Sequence, residues 1–309
     1  MPLIVTGSIG IDSIHTPTDK VEDVLGGSCV YFAAAASFFG PVRLVGAVGD
    51  DFPDHHMKTF THFDLDLAGL ERRTGSKTFR WRGKYHENMN DRDTLEVDLN
   101  VLAEHLPAVP DQYRDSRHIF LANTHPAGQL ELLASFPDRA IAVADTMDLW
   151  IETERPTLLK LLKQIDGLVL NDSEAVMLTE QANIVRAADA ILELGPKFVV
   201  IKKGEHGALL GHADGRAVLP AYPAHHVVDP TGAGDSFAGG MMGHLAATCD
   251  YSIRGLRTAM AYGTMVASFN IEAFSLERLK QIKRNHLDDR FQEYRSMMQI
   301  DAPLTKRPG

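Results

Sequence analysis

Cysteine is scarce in this 309-residue chain: Cys29 and Cys249 stand far apart and in no CxxC arrangement. That excludes a disulfide framework and makes a reducing compartment, the cytoplasm, the expected setting. Long apolar runs are missing, and the opening MPLIVTGSIGID has no basic segment. Neither a signal peptide nor a membrane span is therefore expected. Positive charge is in deficit, with 31 Lys and Arg against 41 Asp and Glu and a net charge of −10. This balance speaks against nucleic acid as a partner, since binding it needs a basic surface. Histidine is plentiful at fourteen, yet no HExxH and no paired Cys/His spacing occurs, which excludes the familiar zinc patterns. The adjacent pairs His55-His56 and His225-His226 read as surface or loop histidines, because neighbours on a strand point to opposite faces. The phosphate fingerprints GxxxxGK[ST] and GxGxxG are absent as well.

What is present is an alternation of short apolar runs with helical patterns, the signature of βα units and a mostly parallel sheet. Buried strands are expected at Leu3–Thr6, Val42–Val48, His118–Leu121, Ile141–Asp145, Gly167–Leu170 and Phe198–Lys202. Helices are expected over Cys29–Phe39, Gly128–Ser135, Thr157–Gln164, Ser173–Thr179 and Ile184–Leu194. Two segments break the rhythm, about 11–24 and about 76–100. The second alternates aromatic and basic residues at Phe79, Arg80, Trp81, Arg82 and Tyr85 and then offers turn chemistry at Asn88–Asp93. The expectation is one α/β domain over 1–309, with these segments as a small projecting sheet. Only Thr305–Gly309 reads as a disordered tail.

The most informative stretch is His226-Val-Val-Asp229-Pro-Thr231-Gly232-Ala233-Gly234-Asp235-Ser-Phe-Ala-Gly-Gly240. Proline holds Asp229 extended, and two glycines one residue apart let the backbone turn tightly against a ligand. Phe237, Met241 and Leu245 then recur at helical spacing. A strand thus feeds a glycine turn into a helix N-terminus, where free N–H groups attract an anion such as phosphate. Asp235 falls in the first turn, where the helix dipole favours its ionised form. A carboxylate beside a phosphate cradle suits proton abstraction from a hydroxyl that accepts a phosphoryl group.

Asp229-Pro-Thr-Gly-Ala-Gly-Asp235 resembles the DTxGAGD pattern of the ribokinase/PfkB family of carbohydrate and nucleoside kinases. The resemblance implies a ribokinase-like three-layer sandwich, with a mostly parallel central sheet and a small β lid. It implies Asp235 as the catalytic base, with Gly232, Ala233 and Gly234 as the anion hole. Gly26-Gly27-Ser-Cys-Val-Tyr31 resembles the family's GGxxxN substrate motif, with Tyr31 in the place of its asparagine. Asp12 matches the acidic residue that holds two substrate hydroxyls, and Asn123, Phe79 and Trp81 complete the implied acceptor side. Asn171-Asp-Ser-Glu174 matches NxxE, which implies Glu174 on Mg²⁺ through water; the same residues read equally as a helix cap. Lys203, Gly204 and Gly207 resemble the GxxG turn on the nucleotide side, and Thr231 joins them. Asp229 keeps one side of a monovalent-cation site, while Glu272-Ala273 replaces the relatives' Gly-Ala, so potassium is left open. Asp145-Thr-Met-Asp148-Leu-Trp150 resembles DxNxRxxLW without its asparagine and arginine, which weakens the case for a carboxylate-bearing acceptor.

The function implied is transfer of the γ-phosphoryl group of ATP to a hydroxyl of a small sugar, with ATP and Mg²⁺ as cofactors. A nucleoside kinase of the same family is the near alternative, and a vitamin kinase of the pyridoxal type a more distant one. From another class, a silent sugar- or nucleotide-binding regulator is opposed by the intact Asp235 and its glycines. The lid aromatics Phe79, Trp81 and Tyr85 suit an acceptor ring and a homodimer contact equally.

Overall fold

The computed structural model describes residues 2–299; Thr305–Gly309 lie outside the described residues. The chain opens with β1 (Leu3–Thr6), β2 (Gly10–His15), β3 (Lys20–Gly26) and α1 (Ser28–Ser37). There follow β4 (Val42–Gly49), α2 (Asp54–His62), β5 (Asp66–Arg73), β6 (Phe79–Tyr85) and β7 (Arg92–Asp98). The central part runs β8 (His118–Leu121), α3 (Pro126–Ala134), β9 (Ile141–Asp145), α4 (Asp148–Thr153), α5 (Arg155–Leu162), β10 (Gly167–Asn171), α6 (Asp172–Thr179) and α7 (Ile184–Glu193). The last part holds β11 (Phe198–Lys202), β12 (Ala208–His212), β13 (Gly215–Leu219), α8 (Ala233–Thr248), α9 (Ile253–Asn270) and α10 (Arg284–Met297).

Nine strands form one sheet in the order β13-β12-β11-β10-β9-β8-β1-β4-β5. From β11 to β5 every neighbouring pair is parallel; β12 and β13 close the far edge as an antiparallel hairpin. Because side chains alternate across a strand, the inner strands of this sheet serve two cores. Leu3, Val5, Val143 and Val169 pack with α1, α8 and α9. Ile4, Ala142, Ala144, Leu168 and Leu170 pack with α3, α5, α6 and α7. The result is a three-layer α/β sandwich of the ribokinase-like kind. On the first face α1 is buried from Ser28 to Ala36, and α8 approaches it closely: a Cβ on Gly239 would fall 2.3 Å from the Phe32 carbonyl. This close packing sets the first turn of α8 at the carboxyl ends of the strands, where open α/β sheets bind ligands.

The two rhythm-breaking segments form a second, four-stranded sheet in the order β3-β2-β6-β7. Strands β2 and β6 are parallel, pairing Asp12 with Trp81, while β3 and β7 run antiparallel at the edges. Along β6 the basic residues face outward, Arg80 to Asp23 and Asp51, and Arg82 to Glu22 and Glu96. The Trp81 indole lies against Gly83, where a Cβ would come within 2.0 Å of the ring, and its N–H donates to Thr94 Oγ1 at 3.2 Å.

One sequence-based expectation is corrected. His56 is on α2 rather than in a loop and is buried. Adjacent helical residues point about 100° apart, so His55 faces solvent while His56 packs against Phe52 at 5.6 Å between ring centroids. Burial pushes the His56 pKa down to about 4 and keeps it neutral. His225 and His226 are exposed in a loop.

Candidate active site

The strand ends and the small sheet face each other across a cleft of 1520 Å³. That exceeds the roughly 300–1,000 Å³ typical for one small ligand and leaves room for two. Its floor is the glycine turn. Asp229 is buried, with its carboxylate accepting from the backbone N–H of Thr231 at 2.9 Å and of Ser275 at 3.4 Å. It thus fastens the turn from behind and does not line the cleft. Gly232 adopts φ +72° to start α8, and a Cβ there would strike the Tyr31 ring at 2.3 Å. The turn and helix start therefore present bare backbone to the cleft, as an anion cradle requires.

Asp235 stands half-buried in the first turn of α8. Burial pushes its pKa up to about 6, against the opposing pull of Lys202 and then Arg92, with Glu174 adding to the rise. Lys202, the last residue of β11, lies in register with Asn171, and its ammonium would be 2.7 Å from a Cβ on Gly234. Its ammonium makes no hydrogen bond or ion pair with a described residue, though its charge lowers the carboxyl pKa values of Asp235, Asp145 and Glu174. Asp145 ends β9 with Oδ1 buried and unpartnered; burial, then the nearby Asp235, holds its carboxyl well above the usual range.

Asn171 and Glu174 form a reciprocal cap at the start of α6. Asn171 Oδ1 accepts from Glu174 N, and Glu174 Oε2 accepts from Asn171 N, both at 2.8 Å. Burial raises the Glu174 carboxyl, and Lys202 opposes it. Both residues line the cleft, so the capping reading and the ligand-side placement hold together. Gly204 and Gly207 also line it, whereas Lys203 does not. Lys203 instead closes the turn through its backbone, its N–H donating to the Gly207 carbonyl at 2.8 Å. Successive strand residues face opposite ways, so the lysine that reaches the cleft is Lys202.

On the other side Asp12 is buried, and its carboxylate has no hydrogen-bond partner among the described residues. Burial, then the charges of Asp229 and Asp235, push its pKa up to about 8. Gly26 makes room for it, since a Cβ there would sit 1.9 Å from Asp12 Oδ2, and Gly26 itself stays behind the cleft wall. Gly27, at φ +103°, starts α1 beside the Ser8 carbonyl. Tyr31 is buried against the glycine turn with its hydroxyl unpartnered. Asn123 accepts from Trp150 Nε1 at 2.9 Å and donates to the Met147 sulfur. Phe79 and Trp81 look down from β6. Beyond them the wall turns apolar, with Leu99, Leu102, Leu106, Leu149 and Trp150.

The small sheet touches the floor at two places. Thr231 Oγ1 donates to the Tyr85 hydroxyl at 3.1 Å, and Asn90 Nδ2 donates to Glu205 Oε1 at 3.2 Å. Sequence reasoning missed Lys202, Asp145 and Arg92 as cleft residues. For the first two a signal existed: each is a charge closing a buried apolar strand at the sheet's carboxyl edge. Arg92 carried none, being one basic residue in a polar turn.

A parallel α/β sheet that ends on a glycine turn, a carboxylate and a free lysine is the framework of a phosphotransferase acting on an alcohol group. This chain belongs to the pfkB family of carbohydrate kinases, whose model matches residues 12–281. Among curated proteins it is 29% identical over 248 residues to a cytidine kinase of Thermococcus kodakarensis, covering 78% of this chain and 87% of that one. It is also 27% identical over 195 residues to inositol 3-kinase of Arabidopsis thaliana, covering 57% of this chain and 51% of that one. In fold it matches a Burkholderia thailandensis nucleoside kinase in complex with inosine, at 19% identity and a TM-score of 0.73, covering 94% and 98% of the two chains. It matches equally a Vibrio cholerae fructokinase bound to fructose, ADP and calcium, at 18% identity and a TM-score of 0.78 over 94% and 98%.

Proposed function

We propose that this enzyme transfers the γ-phosphoryl group of ATP to a hydroxyl of a sugar ring, and that the ring belongs to a nucleoside. The observation that carries the reading is Asp235 at the first turn of α8, beside bare glycine backbone and a lysine whose ammonium is bound up in no hydrogen bond or ion pair with a described residue. In this reading the acceptor hydroxyl gives its proton to the Asp235 carboxylate. Its oxygen bonds to the γ-phosphorus as the bond to the bridging oxygen breaks, and ADP leaves. Backbone N–H groups at Gly232–Gly234 hold the charge that spreads over the equatorial oxygens. Mg²⁺ bound with the nucleotide supplies neutralisation of its phosphates, and Asn171 and Glu174 would hold it through water. The donor set fits a polyphosphate and its metal: positions that a Cβ would fill, an unpaired ammonium and an orphaned Asp145 oxygen meet at one spot. Asp229, with both carboxylate oxygens on backbone N–H groups, is read as the fastener of the turn rather than as a potassium ligand.

Asp12, protonated at neutral pH, both donates to and accepts from ring hydroxyls, with Asn123 beside it. The apolar wall past Asn123 supports a nucleoside over a free sugar, since a monosaccharide has nothing to bury against five apolar side chains. Similarity to a cytidine kinase supports the same choice. ADP release with Mg-ATP across a panel of nucleosides and free sugars tests it. Turnover with nucleosides at a kcat/KM at least tenfold above that with any free sugar is expected. Preference for a free sugar would overturn the acceptor assignment, and no turnover with any acceptor would overturn the reaction.

A further inference from the structure

Arg92 lies directly opposite Tyr85 in the ladder of β6 and β7. Residues paired across an antiparallel ladder share a face, and Tyr85 is buried with its hydroxyl on Thr231. Arg92 therefore sits on the face turned to the glycine turn and lines the cleft with Gly234, Asp235 and Lys202. It is held between the two points where the hairpin touches the floor, Tyr85 on Thr231 and Asn90 on Glu205. Its guanidinium makes no hydrogen bond or ion pair with a described residue; it lies 5.9 Å from the centre of the Trp81 ring, and its charge acts on Asp235 and Tyr85. Lys202 faces the same space from the end of β11, also unpaired. Both cations act through space on Asp235 and Glu174, yet neither side chain is tied up in a hydrogen bond or ion pair with a described residue, which leaves both free to meet an anion in the cleft.

We infer that Arg92 and Lys202 clamp the transferring phosphoryl group from opposite walls, so that transfer waits until the hairpin is seated. This rests on the kinase reading above. Lys202 is fixed by the sheet and meets the nucleotide whenever it binds. Arg92 arrives with the hairpin, so the second charge is supplied only when the acceptor is covered. Cations that meet the charge of a phosphoryl transition state are worth about 10³–10⁵-fold when one arginine acts alone; shared between two, about 10²-fold each is expected.

The test compares wild type with Arg92→Ala, Arg92→Lys and Lys202→Met. Steady-state rates are read together with calorimetric affinities for ADP and for a non-hydrolysable ATP analogue, at saturating acceptor. Arg92→Ala is expected to lower kcat about 10²-fold, to leave the acceptor KM within about threefold, and to cut the preference for the analogue over ADP about tenfold. Arg92→Lys should recover part of both losses. An unchanged preference for the analogue, or a raised acceptor KM at constant kcat, would overturn the clamp and leave Arg92 as a support for Trp81. Because Arg92 is exposed, its variants decide the matter even if Lys202→Met fails to fold. A wild type that binds neither nucleotide would instead overturn the kinase reading, and the clamp with it.

Discussion

Asp235, Lys202, Asn171 and Glu174 ride on buried strands and on helices whose first turns are capped or glycine-packed. Across the cleft, Trp81, Tyr85 and Arg92 ride on a hairpin whose outer strand β7 is exposed at all seven residues. The first wall is held by two hydrophobic cores, the second by the β2–β6 ladder, the Arg80–Asp51 ion pair and hydrogen bonds such as Tyr85–Thr231 and Asn90–Glu205. Positional accuracy of the kind proton and phosphoryl transfer demand sits on the more deeply packed wall. Adaptability to an acceptor, and the exclusion of water that a closure would bring, fall to the more exposed one. Changes on the packed wall should therefore alter kcat, and changes on the hairpin should mostly alter acceptor binding, Arg92 excepted.

Asp235→Asn gives the largest expected effect, a fall in kcat of about 10³-fold, with acceptor affinity by calorimetry within a few-fold of wild type. A loss below tenfold would remove the base from the packed wall. Next comes the acid limb of kcat/KM. In the proposed mechanism the ionised carboxylate is the active form, and with a pKa of about 6 activity should drop with unit slope, tenfold per pH unit, below that point. A profile flat from pH 5 to 8 would contradict the assignment. On the hairpin, Trp81→Ala should raise the acceptor KM by about tenfold, the scale of one lost aromatic contact of about 1.4 kcal/mol, with kcat nearly unchanged. An equal loss in kcat would erase the division of labour between the walls.

A last effect, read in stability rather than in activity, concerns Asp12, where the two walls meet. Folded, it keeps its proton up to about pH 8; unfolded, it loses it near 3.8. The folded state thus binds the extra proton between those values, and stability falls as pH rises through that window. The Tm of Asp12→Asn relative to wild type, without ligands, should climb from pH 4 to pH 8. A constant difference would mean that Asp12 is ionised in the folded protein.

Six apolar runs were legible as the strands of the main sheet because each is buried on both faces, so composition alone marks it. The hairpin of β12 and β13 was not: it lies at the sheet edge, and Val218 is 71% exposed, so pattern and burial part company there. Strand β5, read as DLAGLERR, mixes charge with small residues and carries no run at all. In the cleft the glycine turn was legible because chemistry and backbone shape coincide in adjacent residues. Lys202 was displaced by one onto Lys203, since spacing alone does not say which of two lysines closes the strand. Arg92 depends on a pairing across a turn, which sequence order does not display.

The contact between Asn90 and Glu205 spans the mouth of the cleft on the side of the Gly204 turn. It ties the hairpin to that turn across the entrance. A single surface hydrogen bond is worth about 0.5–1.5 kcal/mol, a latch that thermal motion opens many times for each one that a strong seal would allow. A contact this weak restrains the hairpin without locking it.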